Sequence, residues 1–283
     1  MQAKVFTPEA MTGLEAAYPA EAIRLTHRLT SHPLLDLEAL VGLAIALPPG
    51  AVEYNPGNLP IGIAPEDMPA PALGVAETIR SIEQAGAWMV LKRIESHPDY
   101  AQLLHAILDE IALIVTPRTG AMLRREGFIF ISSPGSVTPF HFDPEHNILL
   151  QVRGTKTMTL FPSDDETMFD PRVQEAFHLG EHHRNLPWQD AYAAKGRAIT
   201  LQPGEAIHVP VKAPHWVQNH DAVSISLSVT WRSEWSFAEA DARAMNRMLR
   251  RAGLAPRSPA PWPARNLAKS LAYRALRKAG ADG

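Results

Sequence analysis

The chain has 283 residues, of which 46% are apolar and 20% charged, and its formal net charge is −3. That length and apolar share suffice to bury one sizeable core, and a mean hydropathy of −0.13 predicts a water-soluble chain. Cysteine is absent; disulfides, thiolate metal sites and thiol nucleophiles are therefore excluded, and any metal must be held by His, Asp or Glu.

The opening segment MQAKVFTPEAM lacks the basic-then-apolar profile of a signal peptide. The longest apolar run, around Leu37–Leu47, is too short to span a bilayer. Together these predict a cytoplasmic protein with no membrane partner. The chain to about residue 120 reads mostly as helix. Pro19 is expected at a first helical position, and Asp36 as the N-cap of LEALVGLAIAL, which stops at Pro48-Pro49-Gly50. Residues 51–76, rich in Pro and Gly, read as loop. Trp88–Ile94 reads as a strand. Pro98 then opens a helix in which Leu103, Leu104, Ile107, Leu108, Ile111 and Ile114 recur at helical spacing, a core-facing stripe.

From Gly127 the pattern changes to short strands: FIFIS, TPFHF, NILLQV, KTMTLF, AITL, EAIHVP, HWVQN and AVSISLSVTW, separated by Gly, Pro, Asn and Asp. Such a series predicts a sandwich or barrel. The last strand alternates cleanly, with Val223, Ile225, Leu227 and Val229 on one face and Ser224, Ser226, Ser228 and Thr230 on the other. Residues 163–196 interrupt the series. They read as too polar for core and as a lid or substrate loop.

Two amphipathic helical segments follow, roughly 238–252 and 264–279. From Phe237 onward there are ten Lys or Arg against three acids. No aromatic–basic alternation or groove-reading motif accompanies them, so the charge reads as solvated helix faces or a contact with the acidic body rather than a nucleic-acid site. The expected organisation is a helical region over 1–120, a β-barrel over 121–235 containing the 163–196 insertion, and a basic helical tail over 236–283.

The chemistry concentrates in Thr138–Asp143, TPFHFD. In an extended strand His141 and Asp143 point to one face and Phe140 and Phe142 to the other. One imidazole and one carboxylate then share an interior, and a third ligand from a distant strand, His215 of VPVKAPHWVQN, completes a two-His-one-carboxylate set with open positions. Lys156 stands fifteen residues after His141, just past the turn at Gly154. An ammonium pointing into a barrel is costly unless it meets an anion; the far carboxylate of a dicarboxylic cosubstrate is one, and the Thr138 hydroxyl offers it a second hydrogen bond. Taken alone, each of these residues has an ordinary reading: a core or surface histidine, an edge lysine, a β-forming threonine. Phe128, Phe130 and Leu149 fit pocket walls or plain barrel core. His182-His183 reads as solvated loop, and Trp188 and Trp216 as packing residues.

The run SVTPFHFDPEHNILLQVRGTKTMTLFP, followed by LQPGEAIHVPVKAPHWVQN and SISLSVTW, resembles the jumonji-C, cupin-like branch of the Fe(II)/2-oxoglutarate-dependent oxygenases. It is similar in particular to protein hydroxylases of the hypoxia asparaginyl hydroxylase type. The resemblance covers residues 127–232 and implies a mainly β fold with α additions, a double-stranded β-helix (jelly-roll, cupin-like) barrel. It implies that His141, Asp143 and His215 ligate iron. Thr138 and Lys156 then hold the distal carboxylate of 2-oxoglutarate, and Asn147 matches a polar position near it. Dioxygen is the further substrate. The chain departs from the pattern in one respect: some members add a Tyr from an upstream strand to the carboxylate site, and none can be placed here.

The resemblance implies a hydroxylase acting on a protein or peptide side chain or a small molecule, and a homodimer through the tail helices, where Leu267, Leu271 and Leu276 offer a face. Two other readings stay open to the residues: a metal-dependent cupin enzyme without 2-oxoglutarate, and a non-catalytic, ligand-sensing regulatory cupin that uses its basic tail on nucleic acid.

Overall fold

A computed structural model describes residues 4–56, 73–168 and 170–280. The N-terminal region supplies α1 (Pro8–Ala17), β1 (Ile23–Thr26), α2 (Leu37–Ala46), β2 (Val52–Pro56), α3 (Val75–Arg80), β3 (Ala87–Lys92) and α4 (Pro98–Thr119). Asp36 caps α2 as expected, its Oδ1 accepting from Ala39 N at 2.8 Å. Pro19 does not start a helix. It lies in the turn after α1, and Pro8 takes the first helical position there, behind the Thr7 cap. Part of the expected 51–76 loop is a strand: β2 pairs with β3 from Val52↔Leu91 to Pro56↔Ala87. Residues 57–72 of that segment lie outside the described residues.

Then follow β4 (Met122–Ser132), β5 (Val137–His141), β6 (His146–Arg153), β7 (Lys156–Leu160), α5 (Pro171–Phe177), β8 (Arg197–Leu201), β9 (Glu205–Val209), β10 (His215–Asn219), β11 (Ser224–Ser233), α6 (Glu234–Arg251) and α7 (Leu267–Lys278). They form two antiparallel sheets, a seven-stranded one in the order β1-β9-β6-β11-β4-β3-β2 and a four-stranded one in the order β5-β10-β7-β8. This is the expected jelly-roll architecture, mostly antiparallel sheet with added helices. The N-terminal region is part of it, since β1, β2 and β3 extend the large sheet at both edges.

The alternation in β11 explains how the layers stack. Ile225, Leu227 and Val229 join Ile129, Ile131, Ile148 and Leu150 on the outer face of the large sheet, where the α4 stripe (Leu103, Leu104, Ile107, Leu108, Ile111) covers them. Each such side chain contributes about 1.5–3 kcal/mol when fully buried. The opposite, hydroxyl-bearing face is also buried. Ser228 and Thr230 line the space between the two sheets, so the polar half of the pattern faces an interior cavity, not solvent.

Two turns hold this arrangement. Gly154 closes the β6–β7 hairpin at φ +67°, and a Cβ there would sit 2.3 Å from the Val223 carbonyl oxygen, so only glycine fits. Gly204, at φ +90°, turns β8 into β9.

The insertion between β7 and β8 corrects an expectation. It is not too polar for core: Met168, Leu186 and Tyr192 pack with Phe140, Phe142 and Phe161 into a separate cluster on the outer face of the small sheet. Phe140 meets Trp188 edge-on at 5.4 Å between ring centres. Five of the ten basic residues of the tail pair with acids of the chain. Arg250 pairs with the fully buried Glu175 of α5 at 2.7 Å, Arg247 with Glu181 at 2.7 Å, Arg251 with Glu181, and Arg243 and Lys212 with the buried Glu239. Arg274 of α7 reaches Asp241 of α6. Among the described residues no helix is long and apolar enough to cross a membrane.

Candidate metal centre

His141, Asp143 and His215 converge. One potential ligand atom from each lies within 4.8 Å of the others, and among the described residues this is the one group of its kind found. The Asp143 Oδ2 is 3.8 Å from Nε2 of both His141 and His215, and the two imidazole centres are 4.2 Å apart. The route to this geometry differs from simple alternation. β5 ends at His141, and Asp143 lies just beyond it, outside regular strand. Between β5 and β10, His141 faces His215 but Thr138 faces Val217, so three residues on one strand span two on the other. That β-bulge turns both Thr138 and His141 toward the cavity, although they are an odd number of residues apart, and leaves Phe140 outside in the aromatic cluster. A regular strand would have sent one of them the wrong way.

Hydrogen bonds set the donor atoms. The Nδ1–H of His141 donates to Pro139 O at 2.7 Å, and that of His215 to Ala213 O at 2.9 Å. Each ring is then the tautomer whose Nε2 lone pair faces Asp143, the arrangement a divalent metal requires. Burial, with His215 close by, pulls His141 down to about 4, so the ring is neutral at pH 7 and free to act as a ligand. Burial would raise the Asp143 carboxyl, but Arg184 beside it and the two imidazoles hold it below its ordinary range. An anionic oxygen and two imidazole nitrogens on one face suit Fe(II) or a similar divalent ion.

The three side chains open on a cavity of about 350 Å³ between the sheets, a volume within the range of small-molecule sites. Lys156, Thr138 and Asn147 all line it, together with Phe128, Phe130 and Leu149. Lys156 is buried, and the hydrogen bond described for its Nζ goes to Ser226 Oγ, 2.8 Å away. Among the described residues no carboxylate lies within salt-bridge distance of it, and burial lowers its ammonium to about 7. An interior ammonium without a counter-ion fits an anionic ligand. Asn147 accepts from Ser228 Oγ at 2.8 Å. Arg184, Glu145 and Trp88 line the same cavity, and sequence reasoning missed all three. Burial and Asp143 push the Glu145 carboxyl up to about 7. The indole Nε1 of Trp88 is buried without a hydrogen-bond partner among the described residues. Trp88 sits on β3, upstream of the barrel motif. His208 stands apart from the triad, fully buried, with its Nδ1 on Glu21 O at 2.9 Å and its ring against Tyr18.

A jelly-roll of two antiparallel sheets, with two imidazoles and a carboxylate gathered at one end of its interior cavity, defines a cupin-type barrel. The chain belongs to the cupin-like domain family, whose model matches residues 80–237. It is 32% identical over 111 residues to Jumonji C domain-containing protein 5 of Drosophila melanogaster, a match covering 36% of this chain and 26% of that protein. It is 33% identical over 106 residues to lysine-specific demethylase JMJ30 of Arabidopsis thaliana, covering 35% of this chain and 24% of that one. The matched segment therefore spans about a quarter of these relatives' length. Among solved structures the fold is similar to that of YcfD of Escherichia coli, with a TM-score of 0.53 at 13% identity, over 98% of this chain and 69% of that one. The structure of YcfD, a ribosomal oxygenase, with cobalt and 2-oxoglutarate gives 0.50 at 15% identity, over 99% and 68%.

Proposed function

We propose that this protein is an Fe(II)- and 2-oxoglutarate-dependent oxygenase, a hydroxylase. One observation carries the reading: the cavity that holds the three converging ligand atoms also holds a buried ammonium with no counter-ion among the described residues. The first half fits a divalent metal, and the second fits the far end of a diacid that reaches the metal with its other end.

In this reading His141, Asp143 and His215 hold the iron, which when bound supplies the activation of dioxygen coupled to decarboxylation of 2-oxoglutarate and hydroxylation of a C–H bond. The remaining roles fall to the protein. Lys156 and the Thr138 hydroxyl grip the distal carboxylate by charge-assisted hydrogen bonds. Ser226 keeps the ammonium in place when the ligand is away, and the Asn147 amide, oriented by Ser228, lies alongside. Phe128, Phe130 and Leu149 keep water from the reacting centre. The cavity lining carries charged side chains, Glu53, Glu126, Glu145, Lys92 and Arg184, which suit a polar side chain of a protein or peptide. A protein substrate is further supported by the similar structure described as a ribosomal oxygenase and by the relative named a demethylase. Exposed Leu267 and Leu271 on α7 support a homodimer through the tail helices, which light scattering would report as twice the chain mass.

The test is succinate release from 2-oxoglutarate by the purified protein with Fe(II) and dioxygen. The wild-type chain is expected to release succinate slowly without substrate and faster with it. His141→Ala with Asp143→Ala should abolish release, and Lys156→Ala should raise the KM for 2-oxoglutarate by 10-fold or more, the scale of a lost hydrogen bond to a charged group. Activity with a 2-oxo-acid-independent substrate, unaffected by Lys156→Ala, would replace this reading with a cupin enzyme of another kind.

A further inference from the structure

Asp143 does not rely on the barrel alone. Its Oδ1 accepts from the Arg184 guanidinium at 2.6 Å, which leaves Oδ2 as the oxygen equidistant from the two imidazoles, 3.8 Å from each. Arg184 belongs to the insertion, and the insertion reaches the site as added backbone pairing. Phe142 N donates to Arg184 O at 3.2 Å and Leu186 N to Phe140 O at 2.9 Å, with a bridge between His141 and Asn185. Residues 184–186 are thus laid along the segment that carries both His141 and Asp143. Behind them Glu181 is held by Arg247 and Arg251 of α6, and Glu175 by Arg250. The Asp143 carbonyl is fixed on the other side by the Lys212 backbone N–H at 2.8 Å.

We propose that Arg184 is a positioning residue for the metal: it holds Asp143 in a single-oxygen mode aimed at the two histidines, so that the insertion, and not the barrel alone, completes the ligand set. The inference rests on the reading of His141, Asp143 and His215 as metal ligands. Its physical basis is that a carboxylate on a chain segment beyond the end of its strand can swing or offer both oxygens, and a guanidinium on one oxygen removes both freedoms. Hydrogen-bonded partners of metal ligands commonly contribute 10–100-fold to metal affinity. The opposing effect is bare charge: a guanidinium next to a divalent cation repels it, and if repulsion dominated, removing Arg184 would tighten binding.

The two effects predict opposite signs, so one titration separates them. Mn(II) affinity of the full chain is measured by electron paramagnetic resonance for the wild type, Arg184→Gln and Arg184→Lys. The visible spectrum of the Co(II)-loaded forms reports how the carboxylate is bound. Arg184→Gln is expected to weaken Mn(II) binding 10–100-fold and to change the Co(II) spectrum, Arg184→Lys to recover part of both, and each metal-free protein to keep a single cooperative thermal transition. Equal or tighter Mn(II) binding by Arg184→Gln, with an unchanged Co(II) spectrum, would overturn the role of Arg184 and leave the metal site standing. Failure of the wild-type chain to bind Mn(II) or Co(II) at all would remove the metal reading and this inference with it.

Discussion

Lys156 shows how far a single residue can be read. Its position after the Gly154 turn marked it in the sequence, and the structure buries it with Ser226 as its hydrogen-bond partner. Burial holds the ammonium at about 7 instead of 10.5. Between those values the unfolded chain binds a proton that the ligand-free folded protein does not, so stability rises with pH through that window and the burial penalty is complete below it. Lys156→Met should therefore stabilise the ligand-free protein by about 1 kcal/mol or more at pH 6, seen as a higher midpoint in urea, while abolishing 2-oxoglutarate binding. In the wild type, 2-oxoglutarate affinity should fall as pH rises above about 7, because the ammonium must be charged to pair with the ligand. Calorimetric titration at several pH values checks this; a pH-independent affinity would mean that Lys156 does not hold the carboxylate. Arg184 lies at the other extreme of legibility. Nothing near it in sequence ties it to Asp143; only the fold brings it across, and an arginine in a polar loop carries no signal of its own.

At the level of elements, the strands from Gly127 onward were legible because apolar alternation and turn residues are local properties. The β5 bulge was not. Thr138 and His141 share a face through a register shift against β10, and register against a distant strand cannot be read from one strand's own residues. The insertion was misread for a related reason. Its apolar residues Met168, Leu186 and Tyr192 are scattered singly among charges, and they form a core with Phe140 on the far face of β5, Phe142 just beyond it and Phe161. Phe140 and Phe142 anchor the loop whose Arg184 touches Asp143. Phe140→Ala should cost about 3–5 kcal/mol of stability in denaturant titration. It should also open residues 163–196 to limited proteolysis before the rest of the chain unfolds. Cleavage rates there equal to those of the wild type would show the insertion to be held by its ion pairs alone.

Across the whole molecule, the two sheets divide the labour. The large sheet turns its aliphatic face to the helices and its hydroxyl face to the cavity, and the small sheet delivers His141, His215 and Lys156 from β5, β10 and β7. The basic tail, read in the sequence as a solvated or internal charge, uses five of its ten basic residues to neutralise acids of α5, α6 and the insertion. On the proposed reading, the whole arrangement would present a metal and a diacid to one another inside one cavity. That reading is tested most directly by visible absorption of the anaerobic Fe(II) protein during titration with 2-oxoglutarate. A weak charge-transfer band should grow and saturate at one equivalent in the wild type, and should be absent from the His141→Ala, Asp143→Ala protein. A wild-type protein that holds Fe(II) but develops no band, or a band of equal strength in the double variant, would contradict it.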